Sequence, residues 1–280
     1  MNVASLHIYP VKSCRGIRLE RTFLEWRGLT RDRRWMITDA DNHFLTQRNC
    51  GALARIGAQV TDAGLVLSVD GSNSIEIGFP SSHQREAVTV WHDTVEALRA
   101  SEIAENWISQ AIGRDARLFY MDDEAERKTS AKWSERTPVS FADGYPVLVT
   151  SMSSLAALNE DIRESGNGEP IAMERFRPNI VIDGADPWAE DHWSRLQIGE
   201  VTIDLVKPCS RCIITTRDPQ TGEVTGRDPL KTLGQIRRSA HPDSPGVLFG
   251  WNAIVRNQGA VHVGDTVNVE STREDGWPLG

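Results

Sequence analysis

The most reactive chemistry in this 280-residue chain is offered by two cysteines three residues apart, in K-P-C-S-R-C at 207–212. Lys207 and Arg211 flank the pair, and neighbouring positive charge pulls a thiol below its usual ~8.5 toward thiolate. Thiolate is the form that binds a soft metal or attacks sulfur and carbon. The same spacing also suits a buried structural pair or an incidental surface dithiol. A zinc site needs two such ligand pairs, and Cys14 and Cys50 lie too far apart in sequence to form the second.

Two basic segments suggest anion binding. In Y-P-V-K-S-C-R-G at 9–16, Pro10 ends a strand and Gly16 relaxes the backbone after it, leaving Lys12, Ser13 and Arg15 on a tight polar turn. An ammonium, a hydroxyl and backbone N–H groups suit a phosphate; a solvated basic turn has the same composition. In R-D-R-R-W-M-I at 31–37, a strand reading puts Arg31 and Arg33 on one face and Asp32 and Arg34 on the other. Guanidinium groups recognise phosphate or a heterocycle edge through planar, paired donors. A surface ion-pair network with Asp32 and Asp39 is the alternative.

The elements that must position these residues are mostly short strands. Residues 3–9, 64–69, 179–182, 199–206, 212–216 and 264–269 are β-rich, with a period of two at Leu65, Leu67 and Val69 and at Val201, Ile203 and Leu205. WMIT at 35–38 is strand-like too. Gly, Pro, Asp and Asn punctuate these runs as in a β-barrel or sandwich. One helix is predicted over 101–112, capped by Ser101 and Gly113, with Ile103, Ala104, Trp107, Ile108, Ala111 and Ile112 on one face. A second is predicted from 151 to 164, with Leu155, Leu158 and Ile162 on one side. The polar stretch 121–139 reads as a connection and places a domain boundary near it.

Composition removes several classes. A net charge of -8 disfavours a polyanion partner. No run approaches the ~20 apolar residues of a membrane helix, and no secretory signal is evident, so the expectation is a cytoplasmic protein with no nucleic-acid or membrane partner. ESGNGEP at 164–170 follows a helix and lacks the third glycine of a nucleotide loop. A serine-hydrolase elbow is likewise missing. His7 sits in an apolar strand and reads as packed and hydrogen-bonded.

Taken together, IYPVKSCRG at 8–16, RDRRWMI at 31–37, FLTQR at 44–48, RFRPNIVI at 175–182, KPCSRCIITTRDPQTG at 207–222, PLKTL at 229–233, LFG at 248–250 and VGDTV at 263–267 resemble, in order and spacing, the MOSC superfamily. The subgroup resembled has an N-terminal MOSC-type β-barrel domain. It includes mitochondrial amidoxime-reducing components and bacterial reductases of N-hydroxylated bases.

The resemblance implies a mainly β (α+β) fold. It has a smaller mixed N-terminal β-barrel domain at 1–120, a MOSC β-barrel at 125–270 carrying the cysteine ligand, and a tail at 271–280. It implies a molybdenum–pterin cofactor in a cleft between the two domains, with Cys212 as the metal ligand. Lys12, Ser13, Arg33, Arg177, Asn179, Ser210 and Arg211 match cofactor contacts. Asp143, in ADGYP, matches an acidic position beside the cofactor that orients a substrate's protonated nitrogen or assists proton transfer. The small hydroxyl residues usual after that aspartate are replaced here by Gly144 and Tyr145.

The function this implies is reduction of N-hydroxylated small molecules: hydroxylamines, N-hydroxy bases and amidoximes. The sequence carries no ferredoxin-type cysteine set, so electrons are expected from a separate reductase or ferredoxin-like protein. The main alternative is a sulfur carrier or sulfurtransferase using a persulfide on Cys212. A barrel that only stores the cofactor and a redox-active Cys209–Cys212 pair are further readings.

Overall fold

The structure is a computed structural model that describes residues 1–70, 73–81, 84–166 and 168–280. Asn167, in the ESGNGEP stretch, lies outside them. The fold is mainly β. Its first strands are β1 (Asn2–Ile8), β2 (Ile17–Leu19), β3 (Arg21–Glu25), β4 (Gly28–Leu29) and β5 (Trp35–Thr38). They are followed by β6 (Ile56–Thr61), β7 (Gly64–Val69), β8 (Asn73–Gly78), β9 (Arg85–Val90), β10 (Asp93–Arg99), helix α1 (Glu102–Ile112) and β11 (Arg117–Tyr120). The rest comprises β12 (Val147–Ser151), α2 (Met152–Glu164), β13 (Ile180–Asp183), β14 (Trp193–Ile198), β15 (Val201–Arg211), α3 (Leu230–Ile236), β16 (Val247–Val255), β17 (Gly259–His262) and β18 (Val267–Thr272).

Among the described residues these strands make four sheets. The largest has the order β18-β14-β15-β16-β12-β13-β1-β2, and only β12 and β13 in it run parallel. Parallel neighbours need a crossover, which α2 supplies. Helices α2 and α3 cover one face of this sheet through Leu155, Leu158, Ile162 and Leu233. The other face packs Leu6, Ile8, Ile182, Leu196, Ile203 and Trp251 with Leu24 and Val261 of the β17-β3-β4 sheet. Its central strands are therefore nearly continuous apolar runs, as burial on both faces requires. The two remaining sheets, β5-β11-β10-β9 and β6-β7-β8, form a separate body with α1. In β5, Trp35 and Ile37 point into one cluster and Met36 into another.

The chain passes between the two bodies in three places, the first of them an excursion that leaves β1, reaches Val11 and Cys14 and returns to β2. Leu6 and Ile8 lie in the large sheet's core, whereas Val11 and Cys14 lie in the other body's. Leu29 and Trp35 divide the same way, and so do Phe141 and Val147. The crossings are held by short backbone bonds: the Lys12 N–H donates to the Trp35 carbonyl (2.8 Å) and the Arg33 N–H to the Tyr9 carbonyl (2.9 Å).

Three local expectations are corrected. Residues 212–216 do not form a strand. Ile213–Thr216 is a 3-10 turn, because the Thr215 and Thr216 hydroxyls donate back to the Cys212 and Ile213 carbonyls (2.9 and 2.8 Å). Pro208, of a residue type that usually ends a strand, does not end this one. β15 continues to Arg211, with register shifts on both sides of Lys207 and Pro208, and proline is tolerated at such bulges. Arg31–Arg33 is not extended. Arg31 and Arg33 have φ of 70° and 49°, and the Asp32 N–H closes a turn on the Leu29 carbonyl (2.9 Å). Helix α1 forms with the predicted Ser101 and Gly113 caps, but Ile103 is exposed. It lies one residue, about 100°, outside the arc centred on Ala104 and Ile108. His7 is buried and pairs with the Ser5 hydroxyl (2.9 Å).

One buried carboxyl makes stability depend on pH. Glu190 is 1% exposed and accepts a bond from the Ser154 hydroxyl of α2 (2.8 Å). Burial, with the neighbouring Asp191 charge, pushes it up from 4.5 to about 7. The unfolded chain ionises this group above 4.5 while the folded protein keeps it protonated to about 7. Its contribution is therefore fully present below 4.5 and is lost as pH rises to about 7, a difference of about 3 kcal/mol. Urea denaturation of wild type and Glu190→Gln should show curves that diverge across this window, the variant losing less stability. Parallel curves would exclude titration of Glu190 there.

Candidate functional site

A cavity of about 260 Å³ opens where the crossings meet the far end of β15. Lys12, Ser13, Arg33, Asp143, Arg177, Asn179, Ser210, Arg211 and Cys212 all line it. Residues spread over two hundred positions of sequence are thus brought to one hollow.

The first crossing supplies Lys12, whose ammonium is buried. It donates to the Phe141 carbonyl (2.8 Å) and pairs with Asp143 Oδ1 (2.5 Å). The Phe44 and Trp91 rings lie 5.5 and 5.9 Å away. Burial pushes the ammonium down to about 8, against the pull of Asp143. The crowding of protein around Asp143 would raise its carboxyl, but Lys12 and Arg33 outweigh this and hold it well below the usual carboxylate range. Ser13 sits at φ 66°, and its carbonyl accepts a bond from the Gln47 amide (2.8 Å). Arg15 leaves the turn in another direction and binds the Gln220 carbonyl (3.0 Å). Cys14 is fully buried, and burial pushes its thiol up to about 12. It is part of the core.

Arg33 comes from the second crossing. It pairs with buried Asp32 (2.6 Å) and donates to Asn179 Oδ1 and the Arg177 carbonyl (3.2 Å each). Burial alone would lower this guanidinium; the Asp32 carboxylate more than compensates and raises it. Asp32 Oδ1 in turn accepts the Tyr9 N–H (2.8 Å). Asn179 is only 2% exposed, and its amide also bonds the Leu148 N–H and the His7 carbonyl. It is a clamp on Arg33 as well as a wall of the cavity.

Arg177 follows a 3-10 turn at Met173–Phe176 with φ 54°. Its Nη1 donates to the Cys14 carbonyl (2.8 Å), while Nη2 is buried without a partner. The Arg33 and Arg177 guanidiniums lie 4.4 and 4.1 Å from the Tyr9 ring. Gly16 leaves room for that ring, because a Cβ there would lie 2.5 Å from a Tyr9 carbon.

At the β15 end, Cys212 is exposed. The Ser210 hydroxyl donates to the Pro245 carbonyl (3.1 Å). Arg211 Nη1 donates to the sulfur of Cys209 (2.7 Å), Nη2 donates to the Phe176 carbonyl, and Nε is buried without a partner. The cation expected beside Cys212 therefore touches Cys209, because the two alternate along a bulged strand.

Several residues in the cavity wall or behind it were not among the predicted contacts. Trp91 Nε1 donates to Asp143 Oδ1 (3.3 Å), and Arg48 lies 4.4 Å over the Trp91 ring. Buried Arg127 donates to the carbonyls of Ser140, Ala142 and Asp143, fixing the third crossing. Tyr145 lines the cavity with its hydroxyl buried and unpartnered. Of these, Arg48 lies in the FLTQR string and Tyr145 in ADGYP, whereas Trp91 and Arg127 lie in no string singled out in the sequence.

Residues 1–115 match the MOSC N-terminal beta barrel domain and residues 136–268 the MOSC domain. Mitochondrial amidoxime-reducing component 1 of Homo sapiens is 31% identical over 95% of this chain and 82% of its own length. Mitochondrial amidoxime reducing component 2 of Rattus norvegicus gives the same identity and coverage. Among solved structures, the YUAD protein of Bacillus subtilis aligns over 95% of this chain and 93% of its own, at 12% identity and a TM-score of 0.40. No helix among the described residues is long and apolar enough to cross a membrane.

The left-handed backbone at Ser13 sets up a test of strain in the cavity wall. An L side chain pays about 1 kcal/mol there that glycine does not. Ser13→Gly should therefore be more stable than Ser13→Ala by about 1 kcal/mol in urea denaturation, the reverse of their order in a helix. Equal stability would mean that the turn relaxes freely.

Proposed function

The chain belongs to the MOSC family, with a MOSC N-terminal beta barrel domain and a MOSC domain, and from that premise we propose that it binds a molybdenum–pterin cofactor and reduces small N-hydroxylated molecules. One observation carries this reading: an exposed cysteine sulfur and several fixed cations line the same cavity.

The residues present suit such a group. Among the described residues no cluster of three or more His, Cys, Asp or Glu forms a metal site. Cys212 would supply the protein's ligand to a metal held here. The buried, unpartnered N–H groups of Arg177 and Arg211 need acceptors that an anionic, heteroatom-rich cofactor offers, and leaving such groups unpaired costs about 1–3 kcal/mol each. Lys12, Ser13, Arg33, Arg177 and Asn179 would hold the phosphate and ring, with Ser210 and Arg211 beside the metal ligand. Bound molybdenum supplies the two-electron reduction of the N–O bond.

Asp143 performs a different task from a proton donor. Held ionised by Lys12, it has Oδ1 engaged by Lys12 and Trp91, and its side chain is 77% exposed. Its second oxygen is available to a cationic nitrogen of the substrate, which orients the N–O group. Trp91 and Tyr145 bound the space left for that substrate. Electrons come from a separate redox protein.

The test is elemental analysis and turnover of protein made in a host that builds the cofactor, with an amidoxime or hydroxylamine and a chemical reductant. Cys212→Ala should lose molybdenum and fall to background turnover with its circular dichroism unchanged. Asp143→Asn should keep the metal and lose about fivefold in kcat/KM for cationic substrates, the worth of one exposed charge pair of about 1 kcal/mol. Undiminished molybdenum in Cys212→Ala sinks the assignment. A one-sulfur mass adduct on Cys212 in metal-free wild type would point instead to sulfur transfer.

A further inference from the structure

Arg177 also forms part of the wall of a second hollow, of about 160 Å³. Its other charged or polar walls are His7, Arg15, Arg18, Glu174 and Gln220. Three separate segments meet there: β1 with the turn after it, the Met173–Phe176 turn, and the loop that follows Thr216. The space equals the share of about five waters in the liquid, enough for a tetrahedral oxyanion.

The charges around this hollow are unbalanced. Three guanidiniums face one carboxylate, and among the described residues none of the three has a carboxylate oxygen within 4 Å. Burial lowers His7, so its ring stays neutral at neutral pH. Two N–H groups, Arg15 Nε and Arg177 Nη2, are buried with no acceptor. Among the described residues the Arg15 guanidinium otherwise donates only to the Gln220 carbonyl, and the Arg177 guanidinium donates to that of Cys14 and lies over the Tyr9 ring. Buried donors without acceptors are costly, and guanidinium forks suit a tetrahedral oxyanion.

Glu174 narrows the choice of anion. A carboxylate in the wall of an anion site repels a fully deprotonated anion such as sulfate. It can accept a hydrogen bond from an anion that still carries a proton, as inorganic phosphate does at neutral pH. We propose that this hollow is a second anion site, selective for protonated inorganic phosphate over sulfate, with Arg177 as the wall shared with the first cavity. Because Arg177 has a single side chain to place, phosphate here would also fix one wall of the first site. Arg177 Nη2 carries two N–H bonds, one for an acceptor in each hollow, so the proposal does not require the first to be empty.

Calorimetric titration of the full chain with inorganic phosphate and with sulfate tests this. Lys12→Met removes the ammonium of the first cavity, and that protein should still bind phosphate, more tightly than sulfate. Adding Arg15→Met and Arg18→Met should weaken phosphate at least tenfold; Arg18 is exposed and Arg15 half-buried, and circular dichroism confirms folding. Glu174→Gln should remove the preference over sulfate. The titration is run on cofactor-free and cofactor-loaded protein alike, and binding should persist in both. Absence of phosphate binding in Lys12→Met, indifference to the two arginine changes, an unaltered preference in Glu174→Gln, or loss of binding on loading, which would assign the hollow to the cofactor's own phosphate, each overturns it.

Discussion

Two guanidiniums, Arg33 and Arg177, share one tyrosine ring at the seam of this protein. Like charges this close repel, and both have lost much of their water. Arg33 is stabilised by a buried carboxylate, Asp32, at 2.6 Å. Arg177 has only carbonyl oxygen and the ring face, and burial pulls its guanidinium down. Cation–π contacts contribute about 0.5–2 kcal/mol each, too little to offset desolvation alone. The arrangement is stable because the backbone leaves the side chains little choice. Both residues have positive φ, as does Ser13, a conformation that costs an L residue about 1–2 kcal/mol and persists only where the surroundings dictate it.

Those surroundings are the crossings. A chain that passes between two β bodies must leave each sheet, turn and enter the next, and its backbone groups must find partners on the way. Lys12 and Arg33 lie where the crossing backbones bond to each other, and Asp143 lies where Arg127 gathers three carbonyls. The cavity is therefore built from segments that are irregular in form yet tied to one another by backbone hydrogen bonds. Asn179 joins them to the large sheet, since one amide reaches β1, β12 and Arg33.

Much of this was legible in the sequence. Alternation identified β7 and the start of β15, and capping residues placed α1 within one residue. The nine residues singled out by resemblance all reach the cavity. What was not legible depends on contacts distant in sequence. Nothing near Lys12 reveals that its ammonium meets an aspartate 131 residues later. Strand alternation for Arg31–Arg34 failed because Arg31 and Arg33 adopt left-handed backbone that arginine rarely takes. The strand expected at 212–216 failed because two threonines bond their own turn, a competition that hydropathy does not register. Trp91 and Arg127 sit in unremarkable sequence and gain their roles only from the crossings.

The Lys12–Asp143 pair explains how so cationic a cavity is tolerated in a chain of net charge -8. Without a ligand, Asp143 cancels the deepest ammonium, and Asp32 cancels one guanidinium. What remains positive is Arg48, Arg175, Arg177 and Arg211, and the last two each have a buried N–H with no acceptor among the described residues. An anion entering the cavity meets those donors without having to break the ion pairs. Low-dielectric walls concentrate the field of such charges far more than an open surface would. The negative exterior repels polyanions at a distance, whereas a small anion inside the mouth is attracted. Selection by size thus follows from where the charges are buried, and it requires no movement of the fold.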